Sequence, residues 1–354
     1  GGISRIEQSA EGRESLNLER VMKNHFRDPI CVEVTRAGSI ESQHQLFAVL
    51  MQPDGKIKKC WGDPEMFVFP RSAVKPLQAM ALVSSGAVEK YDLSSQEIAL
   101  ACASHGGEPV HVEVVKNWLS KVGLNPSDLE CGFHWPSHQE SAHKMIAEGY
   151  LPQSVHNNCS GKHSGFLTLA LQMGHTHEHY VQPDHPVQLR IQEILEKACD
   201  VDLSKSERAI DGCSVPTWAI PLKNLALGMA RWGTGVMLDP KLSRAAEVIS
   251  KAMALHPYMV AGQGRCCTRV LRHFQGKVLV KTGAEGVYCA VFPELGLGLA
   301  LKCLDGQKRA SEAALVALIR KLGMVDEQDT EILSPSIIRN HNQILVGGIR
   351  VVVP

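Results

Sequence analysis

The stretch Phe69-Pro70-Arg71-Ser72-Ala73-Val74-Lys75-Pro76, "FPRSAVKP", sets a serine three residues before a lysine, with a proline directly after it. Proline lacks an N–H and is tolerated only in a helix's first turn, so Pro76 predicts a helix beginning near Ser72. Residues three apart share a helix face, which puts Lys75 beside Ser72. A serine hydroxyl is a weak nucleophile until a neighbouring base takes its proton. Lysine becomes such a base when burial disfavours its charged form and lowers its pKa from about 10.4. The helix N-terminus further favours negative charge developing at the serine. The plainer alternative is an N-cap serine with a solvated lysine.

On either side of this stretch the hydrophobic period changes. "ICVEVTR" alternates, "HQLFAVLMQ" is a mostly apolar run, and "PDGK" supplies a turn before "IKKC", so residues 30–60 read as strands. After the quoted stretch come helical segments: "KPLQAMALVSSG", "VHVEVVKNWLSKVG", "SAHKMIAEG", "HSGFLTLALQMG", "HPVQLRIQEILEKAC", "WAIPLKNLALGMARWG" and "SRAAEVISKAMALHP". Several are stopped by glycine. Strand patterns return in "KVLVKTG", "GVYCAVFPE" and "LGLALKCL", followed by the amphipathic helix "KRASEAALVALIRKLG". This order predicts an α/β architecture, an antiparallel sheet flanked by helices and built from both chain ends, with an inserted mainly helical subdomain. We expect a leader over residues 1–24, in which Gly1-Gly2 reads as a cleavage scar and Met22 as a natural start. A single catalytic unit is expected over 25–354, with its sheet part at about 25–70 and 260–354 and its helical part at about 71–259.

Composition narrows the function. Hydrophobic residues at 44% and charged residues at 21% suit a folded globular chain and argue against extensive disorder. The 37 basic residues balance the 37 acidic ones, so there is no electrostatic footprint for nucleic acid or for an anionic membrane, and a small-molecule substrate is expected. No apolar run approaches the ~20 residues that span a bilayer. The 11 cysteines, odd in number and irregularly spaced, read as reduced cytoplasmic thiols, vicinal Cys266-Cys267 included.

Three further segments carry chemistry. "KTG" at Lys281-Thr282-Gly283 ends a predicted strand. Ser-x-x-Lys on a helix followed by Lys-Thr-Gly on a strand is the pairing found in serine β-lactamases and penicillin-binding proteins. Their third signature, Ser-Asp-Asn, is absent here, so an ordinary β-lactamase is not expected. "ASHGGE" places Ser104 before two glycines, which either let backbone N–H groups approach a ligand or simply make a turn. "NNCSGKH" and "DGCSVP" each present one cysteine among polar neighbours: Cys159 with Lys162 and His163, and Cys213 with Asp211. Two thiolates and a nitrogen would suit Zn²⁺, but without a Cys-x-x-Cys spacing two buried thiols lining a pocket remain the alternative. "HTHEHY" at 175–180 reads as a polar loop and "AGQGR" at 261–265 as a turn, since neither has the context of a metal or dinucleotide site.

Taken together and in order, "PRSAVKP", "ASHGGE", "NNCSGKH", "DGCSVPT" and "KTGAEG" resemble the rhizobial-type L-asparaginases, the asparaginase II family, from about Pro29 to "HNQILVGGIRVVVP". The resemblance implies a serine β-lactamase-like and glutaminase-like fold and hydrolysis of L-asparagine to L-aspartate and ammonia. It implies two Ser–Lys pairs, Ser72 with Lys75 and Ser104 with Lys281. It also implies a zinc site on Cys159, Lys162 and Cys213, substrate contacts at Arg71, His163 and Asp211, and a homodimer. Rival expectations are an enzyme of the same fold acting on glutamine or a β-lactam, and a non-catalytic zinc- or amino-acid-binding protein.

Overall fold

The β-rich segments from the two ends of the chain meet in one antiparallel sheet. The computed structural model describes residues 27–354; the expected leader lies outside the described residues. The alternating "ICVEVTR" forms β1 (Ile30–Arg36), which buries Ile30, Val32 and Val34. It turns through Ala37 and Gly38, both at positive φ, into the long β2 (Ser39–Met51). The "PDGK" turn then leads to β3 (Ile57–Trp61). One edge of β2 pairs with β1 along residues 39–46 and with β3 along residues 48–51. Its other edge is taken by a meander of β4 (Leu279–Thr282), β5 (Val287–Phe292) and β6 (Leu297–Cys303), of which β6 is the partner of β2.

Two further strands, absent from the expectation, extend the sheet beyond β1: β7 (Ile337–Arg339) and β8 (Leu345–Val352). Gly347-Gly348 interrupts any hydrophobic alternation there, and most of β8 is only half-buried. Gly347 is required by contact. A Cβ on Gly347 would stand 2.2 Å from the Thr35 carbonyl oxygen of β1.

The helical block opens with a 3₁₀ turn at Arg71–Val74 that runs into α1 (Lys75–Val83). Every residue of α1 from Lys75 to Leu82 is buried, the mark of a helix enclosed on all sides. Around it pack α2 (Ser95–Ala101), α4 (Ser160–Gln172), α5 (Pro186–Cys199) and α7 (Pro240–Leu255), with α3 (Pro109–Lys121) beyond. Their starts follow the caps in the sequence. Ser94 and Glu97 form a reciprocal capping box for α2, and Asp239 accepts from the N–H groups of Lys241 and Leu242 to start α7. The "WAIPLK" segment is helical only from Leu222, because Pro216–Trp218 and Ile220–Pro221 are short strands. The helix that follows, α6 (Leu222–Thr234), ends at Gly235 in the left-handed region. After α8 (Cys266–Phe274) and the meander, α9 (Lys308–Lys321) completes the layers. Both α6 and α9 lie against β2, β5 and β6. Since all six residues of β5 are buried, whichever face they point to, the sheet is covered on both sides.

The contact between α6 and β6 leaves no slack. A Cβ on Gly298 would lie 2.2 Å from the Ala230 nitrogen and 2.4 Å from the Ala226 oxygen, both on the helix backbone, which cannot move aside as a side-chain end can. Gly298→Ala is expected to lower stability by about 2–3 kcal/mol in urea unfolding. An unchanged midpoint would mean that the helix shifts freely on the sheet.

Candidate active site

Ser72 sits in the 3₁₀ turn, partly exposed, and its side chain caps neither that turn nor α1. Lys75, at the start of α1, has no exposed surface. An N-cap serine with a solvated lysine therefore does not describe this stretch. Nor does Lys75 hydrogen-bond to Ser72. Its Nζ donates to the Ala103 oxygen at 2.5 Å, to Ser104 Oγ at 3.0 Å and to Cys159 Sγ at 3.2 Å. Ser104 lies just past the end of α2, and its N–H is held by the Val260 carbonyl at 3.0 Å. From the sheet side Lys281, on β4, donates to the same Ser104 Oγ at 2.9 Å and to the Thr282 oxygen at 2.7 Å. The structure thus brings Ser104 and Lys281 together and adds Lys75 to the same hydroxyl.

Both lysines are driven toward the neutral amine. Burial lowers the pKa of Lys75, and Lys162 adds to this against the opposing pull of Cys159. For Lys281, burial and then the neighbouring Lys75 charge bring the pKa down to about 7. A lysine that titrates near neutrality can take a proton as well as return one.

Arg71 precedes the serine with φ +52°, a conformation unusual for a residue with a side chain. Its Nε bonds Asp211 Oδ1 at 2.7 Å. Asp211 and Cys213 lie in the turn of a hairpin made by Arg208–Ile210 and Pro216–Trp218, closed by Asp211 N–H to the Val215 oxygen at 2.8 Å. Burial pushes the Asp211 carboxyl up, but Lys162 and Arg71 outweigh it and hold it below its ordinary range.

The same hairpin turn delivers Cys213 to Lys162, whose Nζ donates to Sγ at 3.1 Å from the first turn of α4. Cys159 immediately precedes α4 and is paired electrostatically with Cys213. That pairing, helped by the Lys162 charge and opposed by burial, holds the Cys213 thiol down, whereas the pairing and burial push Cys159 up. Burial disfavours the Lys162 ammonium, but the two sulfurs more than compensate and its pKa is raised. Two sulfurs and a nitrogen converge in a buried spot, a donor set whose softness and number fit Zn²⁺ with one position left over.

His163 is wholly buried. Its Nδ1 meets the Tyr180 hydroxyl at 2.5 Å, its Nε2 has no partner, and burial lowers its pKa to about 3. In the "ASHGGE" loop, the Gly107 N–H is taken by His105 Nδ1 at 3.0 Å, so this group serves the loop's own closure. The "AGQGR" segment is a turn, but it also places Arg265 Nη1 3.4 Å from the Ser104 oxygen, a contact that no local spacing announces. In the "HTHEHY" loop His177 pairs with Asp128 at 3.2 Å.

A separate donor cluster among the described residues, His44, Cys303 and Asp305, satisfies itself. His44 Nδ1 lies 2.6 Å from Asp305 Oδ2, and Cys303 Sγ donates to Asp305 Oδ1 at 3.0 Å. Arg309 Nε donates to His44 Nε2 at 3.2 Å, which fixes the ring proton on Nδ1, the nitrogen that a metal would need. A cavity of about 640 Å³ lies beside α9 and β8 near Arg320, Glu327 and Arg350, and neither Lys75 nor Lys281 lines it.

A buried serine–lysine network beside a partly exposed serine is chemistry suited to cleaving an amide. The family profile described as L-asparaginase II matches residues 32–351, and the chain belongs to that family. No curated protein matches it. Among solved structures it is similar to Mglu in its native form at 14% identity and a TM-score of 0.44, covering 80% of this chain and 66% of that one. It is also similar to a β-lactamase from Mycobacterium bovis at 12% identity and a TM-score of 0.37, covering 77% and 94%. A putative β-lactamase from Bacteroides dorei gives 12% identity and 0.38, covering 84% and 91%. No helix among the described residues is long and apolar enough to cross a membrane. All 11 cysteines are free thiols.

The depressed Lys281 has a thermodynamic signature. Below pH ~7 it is protonated in both native and unfolded chains, and the full cost of burying its charge is present. Between pH ~7 and the unfolded value near 10.4, the unfolded chain binds more protons, so stability rises with pH. Wild type should therefore gain on Lys281→Met across that window, by up to about 1.4 kcal/mol per pH unit, in urea unfolding at a series of pH values. Parallel stability curves would show that Lys281 keeps an ordinary pKa.

Proposed function

We propose that the chain hydrolyses the side-chain amide of L-asparagine to L-aspartate and ammonia through a serine ester. The observation that carries this reading is the single hydroxyl of Ser104 held by two buried lysines, next to the partly exposed Ser72 at the helix start. Ser72 Oγ attacks the amide carbon, and Lys75 as free amine takes its proton. The C–N bond breaks as the leaving nitrogen receives a proton, ammonia departs, and water then cleaves the aspartyl ester to restore the Ser72 hydroxyl. Ser104 carries protons between Lys75 and Lys281, so the charge gained at one amine is shared with the other. Arg71 and Asp211, charged and adjacent at 2.7 Å, match the α-carboxylate and α-ammonium of an amino-acid substrate. His163, its Nδ1 held by the Tyr180 hydroxyl, would reach the substrate only through its unpartnered Nε2.

Cys159, Lys162 and Cys213 would hold Zn²⁺, which when bound supplies a Lewis-acid position for the α-end of the substrate. A lysine ligand must be neutral, so loading would release the proton that Lys162 donates to Cys213. Metal analysis of the purified protein should find about one zinc per chain, lost in Cys213→Ala. Equal zinc in the variant would move the metal elsewhere.

A second reading makes Ser104 the acylated residue, since it alone of the two serines bonds the lysines. Ammonia release from L-asparagine and L-glutamine, compared between wild type, Ser72→Ala and Ser104→Ala, is expected to fall at least 10³-fold in both variants, with asparagine the better substrate. Mass spectrometry of acid-quenched protein should find the aspartyl ester on the peptide bearing Ser72. An ester on the Ser104 peptide would exchange the two roles, and an inert wild type would sink the reading.

A further inference from the structure

We propose that Glu108 is a positioning residue that clamps the 261–265 turn, and with it the Arg265 guanidinium, against the backbone of Ser104. The inference rests on reading Ser104 as part of the reacting network. Glu108 is a buried carboxylate at the end of the "ASHGGE" loop, four residues after Ser104 and outside the relay described above. Its Oε2 accepts the Gln263 N–H at 3.1 Å, and its Oε1 accepts the Tyr258 hydroxyl. Both donors belong to the segment that passes over Ser104.

The approach is close enough to dictate a residue type. Gly262 adopts φ +100°, and a Cβ there would stand 2.1 Å from Glu108 Oε2. The turn has no helix or strand of its own, so its position depends on a few bonds. Besides the two to Glu108 these are Ser104 N–H to the Val260 oxygen at 3.0 Å, Thr268 Oγ1 to the Gly262 oxygen at 2.6 Å, Arg269 Nη1 to the Gly264 oxygen at 2.6 Å, His138 Nε2 to Gln263 Oε1 at 3.0 Å, and Arg265 Nη1 to the Ser104 oxygen at 3.4 Å. The wall behind the carboxylate is rigid. His111 donates its Nε2 proton to the Tyr258 oxygen at 2.8 Å and stacks between His105 and Tyr258, with ring centroids 4.9 and 5.7 Å away. That leaves His111 Nδ1 without a donor partner, 3.7 Å from Glu108, and His138 Nε2 faces the other oxygen at 4.0 Å.

What the clamp delivers is a cation. After burial and Lys75, Arg265 is a further positive charge that lowers the Lys281 pKa, and it is the one attached to the clamped turn. Moving it away would return charge to Lys281 and slow the proton transfers through Ser104 without touching the groups that bind the substrate.

The test is a double-mutant cycle on Glu108→Gln and Arg265→Gln, read as kcat and KM, with hydrogen–deuterium exchange of the peptide over residues 258–265. Each single variant should lose about tenfold in kcat at unchanged KM, the double variant should be no slower than Arg265→Gln alone, and exchange should rise in Glu108→Gln. Tyr258→Phe, which removes one of the two donors and keeps the ring, should show a smaller effect of the same sign and stands in if Glu108→Gln does not fold. Multiplicative losses in the double variant, or unchanged exchange, would overturn the clamp. A wild type that cleaves no amide, while exchange still rises in Glu108→Gln, would refute the proposed reaction and leave the clamp standing.

Discussion

The whole arrangement depends on burying two lysine amines against one serine hydroxyl. An ammonium removed from water without a matched anion costs several kcal/mol, and Lys75 and Lys281 are both enclosed, with no carboxylate bonded to either. The relief open to them is to shed a proton, and each makes this easier for the other. A fold tolerates such a pair only if surrounding packing compensates. The enclosure of α1 on all sides and the double-sided cover of β5 provide that packing at the two places where the lysines are anchored. The hydroxyl of Ser104 gives both amines a partner that serves as donor or acceptor, so the network stays satisfied in more than one protonation state.

That requirement explains why the site lies at the junction of the layers. Lys281 stands on β4 of the sheet, Lys75 on the central helix, and Ser104 in the loop after α2. A single element could not present two lysines from opposite sides of one hydroxyl. The insertion of the helical block between β3 and β4 makes it possible, because the chain leaves the sheet, builds a wall and returns. The hairpin bearing Asp211 and Cys213 then closes the remaining side against Arg71 and Lys162.

The parts governed by local periodicity were readable in the sequence. The alternation of "ICVEVTR" and the glycine-stopped helical segments became the expected elements, and the two-ended sheet followed from their order. The strand β8 was not readable, since Gly347 answers to a contact with Thr35, 312 residues away in the chain, and the Gly347-Gly348 pair leaves no pattern of its own. In the site, the Ser-x-x-Lys and Lys-Thr-Gly spacings marked the lysines, but spacing pointed Lys75 at Ser72, whereas the folded side chain reaches Ser104. Helix geometry fixes only which residues share a face. Which neighbour a long, flexible side chain selects is decided by what the tertiary fold puts within reach. Arg265 and Glu108 were missed for the same reason, although the two glycines of "AGQGR" were a sign that some backbone must pass close to something.

Strain supplies the last step. Arg71, Ser214 and Glu285 all have positive φ without being glycine, and each flanks a piece of the site: Ser72, Cys213 and the Lys281-Thr282-Gly283 turn. Each such residue costs on the order of 1 kcal/mol relative to a relaxed backbone, and it persists only where surrounding contacts over-determine it. At Arg71 the determining contact is visible. The ion pair to Asp211 draws the side chain toward the hairpin while Pro70 and α1 fix the chain on either side. A substrate whose two charged ends replace that ion pair would compete with the contact that holds the strained residue, and Ser72 is the next residue along. On the proposed reading, binding at Arg71 and the conformation of Ser72 would be mechanically linked. That link would give a physical reason for Ser72, which bonds neither lysine, to be brought to Lys75 by the substrate itself.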